Sequence, residues 1–305
     1  MLNRKYLLTI LSIAFTTLSL AQESKPAEAF QIIDVSQKEL RIMNALKSAD
    51  SVSRSKIFAD SLYHPYEAFW SGYIGSADSY VGWVNDNVIP SLNQYNHRNT
   101  QIDGKKLLTQ FDEVKERMTS LTGYSPRGRW YIVYGPAWAN LGGLSGGTMF
   151  IDLAHENNSS NENIMMMFPH ELTHQIYSNV NTHNDTTAMG SIIGEGFAVY
   201  MNQLYWKDKY SLARNLGYSD AELAEVEQNK ELVMDFFNTN KFGTGRATID
   251  KFRNRSFHLR ENMPGAIGYY IGYRIIESYV SKHGADSWKD VFTRAPKEIY
   301  ADSGY

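Results

Sequence analysis

Met165-Met166-Met167-Phe168-Pro169-His170-Glu171-Leu172-Thr173-His174-Gln175-Ile176-Tyr177 is the stretch whose reading decides the fold. On a helix, the spacing His170-Glu171-x-x-His174 puts both imidazoles on one face, a turn apart, where they can converge on one metal ion with Glu171 beside them. Ile164, Met167, Phe168, Leu172 and Ile176 recur at spacings of three and four, which predicts a helix held in a core by one buried stripe. Pro169 lacks an amide donor, so a kink or a helix start near Met166 is expected. The plainer alternative is a core helix with two satisfied histidines, and a third ligand decides between the two.

The candidate third ligand is Glu195, the only acid in Ser191-Ile192-Ile193-Gly194-Glu195-Gly196-Phe197-Ala198-Val199-Tyr200, 21 positions after His174. A carboxylate among apolar neighbours is costly unless a cation compensates it. Its flanking glycines make sense where a turn must approach another backbone or a metal closely. The polar stretch from Ser178 to Thr187 is long enough to reverse the chain and return a second helix beside the first. Two imidazoles and one carboxylate are the ligand set of a catalytic zinc with a fourth position open to water.

The His-Glu-x-x-His pair followed about twenty residues later by Glu-Gly-x-Ala resembles the gluzincin branch of zinc metallopeptidases. The closing segment, from Gly268-Tyr269-Tyr270-Ile271-Gly272-Tyr273 to Tyr305, is similar to the tail of an uncharacterised bacterial family of predicted zinc-dependent proteases. The resemblance covers about residues 129 to 305. It implies an exported metallopeptidase with Zn2+ on His170, His174 and Glu195, Glu171 as general base and a peptide or protein substrate. One departure stands out: thermolysin-like enzymes carry an Asp one turn after the ligand Glu, and this chain has Val199 there, which leaves the partner of the metal histidine unidentified. A metzincin is excluded, because it needs Gly and His where Tyr177 and Val180 stand.

The start of the chain predicts export. A basic head at Arg4-Lys5, an uncharged run from Tyr6 to Leu20 and a small-x-small site at Ser19-Leu20-Ala21 read as a signal peptide over residues 1–21, too short for a comfortable membrane span. The mature protein is expected to be periplasmic or extracellular, with no stable membrane insertion. The sequence holds no Cys, which leaves neither a disulfide framework nor a lipid-bearing thiol. Without Arg4 and Lys5 there are 28 basic residues against 33 acidic ones, a net charge of about −5, and no basic stripe, so nucleic acid is not an expected partner.

Residues 22–125 read as an N-terminal helical region, with segments near 37–51, 53–63, 76–95 and 104–119. Its aromatics at Tyr63 to Trp70 and Tyr80 to Trp83 suit inter-helix packing. Residues 126–305 read as the catalytic domain. Arg129 to Tyr134 alternates as a strand and ends at Gly135-Pro136. The glycine-rich segment 142–147 then leads into Thr148 to Leu153, which the resemblance makes the edge strand that would accept an extended substrate. Ser219-Asp220-Ala221-Glu222 predicts a capping box opening a helix to about Asn238. The expected fold is α+β and mostly α-helical, a zincin-like domain with a small antiparallel sheet beside the metal-binding helix. For an oxyanion-stabilising donor the helix after Pro264 supplies Tyr269, with Tyr270 and His258 as alternatives. His155 and His183 are further ligands in principle. A different class of function, a secreted peptide- or glycan-binding module with a structural or inactive zinc site, uses the same groove and aromatics.

Overall fold

The computed structural model of the chain describes residues 29–144 and 147–305. The signal peptide, its cleavage site and most of the polar leader lie outside the described residues.

The fold is α+β and mainly helical, with one four-stranded sheet. Its strands are β1 (Gln31–Asp34), β2 (Arg129–Val133), β3 (Leu141–Gly143) and β4 (Met149–Asp152), in the order β1-β2-β4-β3. β1 pairs parallel with β2 and β2 parallel with β4, and only β3 runs antiparallel to its neighbour β4. The sheet is therefore mixed, where an antiparallel one was expected. The reason is connectivity: β1 and β2 are separated by the helices of the N-terminal region, and such a long crossover permits parallel pairing that a hairpin does not. β4 is not an edge strand either, since Leu141, Gly142 and Gly143 cover it opposite Ile151, Phe150 and Met149. The interior position suits its burial on both faces.

The N-terminal helices are broken more finely than periodicity suggests. Ser51–Phe58 runs into a π-helical turn at Ala59–Tyr63, and Ala77–Trp83 into another at Val84–Val88 before Leu92–Asn99. The Ser219/Glu222 capping box forms, but its helix stops at Gln228 and a second one, Lys230–Asn240, continues beyond Asn229. Gly104–Thr122 ends on Gly123 in the left-handed conformation, which glycine adopts without steric cost.

Three helices form the part of the core that matters for the site. The histidine helix is Asn161–Val180, the glutamate helix Ala188–Trp206 and the tyrosine helix Ile267–His283. Phe168 of the first packs on Trp130 of β2 and on Phe111, with ring centroids 4.8 and 4.3 Å apart. The Trp130 indole donates to Gln175 Oε1 at 2.9 Å. Sheet and histidine helix are thus locked by apolar contact and by a buried hydrogen bond a turn beyond His170.

Candidate metal centre

The histidine helix is capped by Ser160, whose hydroxyl accepts from Asn163 N. It runs through Pro169 without restarting near Met166. Pro169 deprives the Met165 carbonyl of its usual amide donor, and the indole of Trp206, at the end of the glutamate helix, donates to the adjoining Met166 carbonyl at 3.1 Å. The proline thus stands one residue before the first histidine, with a neighbouring helix bonded to the carbonyl next to the one it leaves without an amide donor.

The glutamate helix starts at Thr187, whose hydroxyl accepts from Gly190 N. Gly196 explains its approach to the tyrosine helix: a Cβ there would stand 2.0 Å from the Gly272 carbonyl carbon, and a Cβ on Gly272 would stand 2.0 Å from the Ile192 carbonyl oxygen. Only two glycines allow this backbone-on-backbone contact. Gly194 has open space around it and lines the cleft.

The histidine and glutamate helices bring His170, His174 and Glu195 together. The two Nε2 atoms are 3.2 Å apart, and Glu195 Oε2 lies 3.1 Å from His174 Nε2 and 3.6 Å from His170 Nε2. His170 and Glu195 are buried, while His174 is partly open to the cleft. Nδ1 of His170 is buried and has no hydrogen-bond partner among the described residues. Burial pushes the Glu195 carboxyl up, but the charge of His174, hydrogen bonds from both histidines and Arg253 outweigh it and hold the group well below the usual carboxylate range. For His174 burial opposes protonation, and the Glu195 carboxylate outweighs that and raises its pKa.

Arg253 is the residue that sequence reasoning missed. Its Nη2 lies 2.9 Å from Glu195 Oε1 and is the cation that the buried carboxylate required. It stands 58 positions downstream of Glu195, at the end of the amphipathic helix Arg246–Arg253, and no local spacing connects the two.

The cluster opens into a cleft of about 1920 Å³, which Glu171, Arg253 and Tyr269 also line. Tyr269 stacks on His170 with ring centroids 6.1 Å apart and planes at 12°, and burial, together with the Glu195 charge, pushes its phenol up. The charge of Glu171 is felt by His174, Arg253 and Tyr269. The alternatives fall elsewhere. Tyr270 donates to Glu227 Oε1 at 2.9 Å, and His258 Nδ1 is 2.6 Å from the Met263 carbonyl oxygen. His155 caps a short 3₁₀ turn through its own Nδ1, and His183 Nε2 meets the Thr293 carbonyl oxygen. None of these three histidines joins the cluster.

On the cleft rim Trp138 is largely exposed. Its loop is held by the buried Asp152 carboxylate, which accepts from Gly135 N, Ala137 N, Ala154 N and the Tyr73 hydroxyl at 2.7 to 2.9 Å.

Among the described residues no helix is long and apolar enough to cross a membrane. No curated protein matches the chain. Residues 154–305 match the family model described as gliding motility protein GldB. That match is consistent with the expected export in its coarse form. It overturns the expected kinship with gluzincins and with zinc-dependent proteases, along with the peptide hydrolysis and the protease character inferred from them, because the family matched is a motility family and not a peptidase family. The binding-module alternative gains no support from it. The misleading signal was the five-residue His-Glu-x-x-His spacing, which describes how two histidines share a helix face and not what a protein is for. Over the half of the chain that carries His170, His174, Glu195 and Arg253, the similarity is to gliding motility protein GldB.

Proposed function

We propose that this chain is an exported cell-envelope protein that serves gliding motility, and that its C-terminal half holds one zinc ion on His170, His174 and Glu195. The motility reading rests on the family match over residues 154–305. One observation carries the metal reading: the three donor atoms are spaced 3.1, 3.2 and 3.6 Å apart. Ligands at about 2.0 to 2.2 Å from a tetrahedral zinc are about 3.3 to 3.6 Å from one another, so one spacing is a tetrahedron edge and the other two fall short of one by about 0.1 to 0.2 Å. Two Nε2 atoms facing each other beside a buried carboxylate also make a donor set that suits a borderline-soft divalent cation.

The basic head and uncharged run at the start of the sequence and the family match both suit a protein of the cell envelope. Export as a periplasmic or surface protein is the location that suits it.

Three converging protein ligands, as opposed to four, support a working centre over a structural one. Bound zinc would supply Lewis acidity and an activated water. An enzymatic role is supported by the position of Glu171, an acid lining the same cleft as the cluster. In a gliding bacterium that encodes the protein, replacing the chromosomal copy with a His170→Ala, His174→Ala double variant tests the reading. Loss of colony spreading at unchanged protein level is expected. Normal spreading in a full deletion would contradict the motility role, and normal spreading in the double variant alone would detach the metal from it.

A further inference from the structure

The Glu195 carboxylate is divided between two sets of partners. Oε2 faces both histidines, and Oε1 faces only Arg253 in the hydrogen bonds and ion pairs of the described residues. A zinc-bound carboxylate can offer one oxygen or both, and its orientation is set by what its other oxygen meets.

We propose that Arg253 is a positioning residue of the metal centre: its guanidinium holds Oε1 of Glu195 and leaves Oε2 as the single oxygen presented beside His170 and His174. The inference rests on the metal reading given above.

The backbone around Arg253 is fixed in a way that suits this task. Phe252 is fully buried, and a Cβ on Gly268 would stand 2.9 Å from both Cβ and the carbonyl oxygen of Phe252. A Cβ on Gly265 would stand 2.2 Å from the Arg255 carbonyl oxygen, and Ala266 N donates to the Asn254 carbonyl at 2.9 Å. Residues 252–255 are thus clamped against 265–268, the segment that leads directly into Tyr269. The Arg253 side chain starts from a rigid base and reaches Glu195 with its head half-exposed in the cleft. Its charge interacts first with Glu195 and then with Tyr269 and Glu171, so it lies amid the groups that surround the cluster.

The role of charge compensation alone would be met by any cation nearby; positioning requires the guanidinium. The test is a set of zinc titrations against a competing chromogenic chelator on the full exported chain, with visible absorption of the Co2+-loaded protein alongside. Wild type is expected to bind one equivalent. Arg253→Met is expected to bind zinc about 10 to 100-fold more weakly, the usual loss when an outer partner of a metal ligand is removed. Its Co2+ absorption is expected to weaken as Oε1 is freed to join the coordination. Arg253→Lys keeps the charge without the planar fork and is expected to recover only part of the affinity. A folded Arg253→Met protein with wild-type affinity and an unchanged Co2+ spectrum would overturn the proposal. Should the Met variant not fold, wild-type affinity in Arg253→Lys would overturn it equally. A wild-type chain that takes up no zinc at all would overturn the metal reading itself, which separates the two failures.

Discussion

Gly196 and Gly272 meet backbone to backbone, with no room for a Cβ on either, and this contact sets how deeply the glutamate helix sits against the tyrosine helix. Because Glu195 and Tyr269 flank it on their respective helices, the crossing also places both on the His170 side of the core. Gly196→Ala and Gly272→Ala are expected to destabilise the fold by about 1 to 3 kcal/mol or more, the usual range for overpacking a core. Gly194→Ala, with nothing within 4 Å of its Cβ, should instead stabilise by up to about 1 kcal/mol, because alanine is the better helix former. Urea unfolding of the three variants checks this ranking.

Glu171 and Glu195 share the cleft and differ in what they touch. Glu195 stands within 3.6 Å of both histidines, whereas the cluster of converging donor atoms does not include Glu171. Glu195→Ala is expected to abolish stoichiometric zinc binding, and Glu171→Gln to leave it intact. Equilibrium dialysis against zinc distinguishes them. Equal loss in both variants would make Glu171 a ligand.

Glu39 is fully buried beneath the sheet end, where its Oε2 accepts from Tyr134 N at 2.8 Å. Burial, aided by the charges of Asp152 and Asp34, raises its pKa well above 4.5. The folded chain therefore holds this proton to higher pH than the unfolded chain does. Its stabilising contribution is complete below the unfolded pKa and is lost as pH rises through the folded one. Glu39→Gln keeps an acceptor for Tyr134 and removes the ionisation. Its melting temperature should match wild type near pH 4 and exceed it at pH 8, by roughly 2 to 4 °C for each kcal/mol recovered. A constant difference across that range would contradict this assignment.

Much of the site was legible because helical periodicity is local. His170, Glu171 and His174 lie within five residues, and Glu195 stood out as a lone acid between glycines in an apolar run. The need for a cation beside Glu195 was legible too, but not its identity: Arg253 is charged on an amphipathic surface helix, as any solvated arginine is. The sheet was hidden for a different reason. Gln31–Asp34 is four residues long, and Leu141–Gly143 contains two glycines, which weaken strand propensity. Parallel pairing between strands almost a hundred positions apart leaves no turn signature to read. The breaks at Ala59–Tyr63, Val84–Val88 and Asn229 lie within runs that keep helical composition, so only tertiary packing reveals them.

Asp152 gathers three backbone amides and the Tyr73 hydroxyl around one buried carboxylate, and so fixes the loop that carries Trp138. Asp152→Ala leaves these donors without their acceptor, at about 1 to 3 kcal/mol for each one that water cannot reach. Early proteolytic cleavage near Trp138 is expected before the histidine helix is attacked. Cleavage no faster than in wild type would show that the loop does not depend on Asp152.

The most direct measurement is the metal content of the purified exported chain, by mass spectrometry of the intact protein under native conditions and by elemental analysis, for wild type and for His170→Ala, His174→Ala and Glu195→Ala. One zinc per chain in wild type and none above background in each variant is the expected result. A wild-type chain that remains metal-free after equilibration with excess zinc, or three variants that bind it as wild type does, would contradict a metal centre at this cluster.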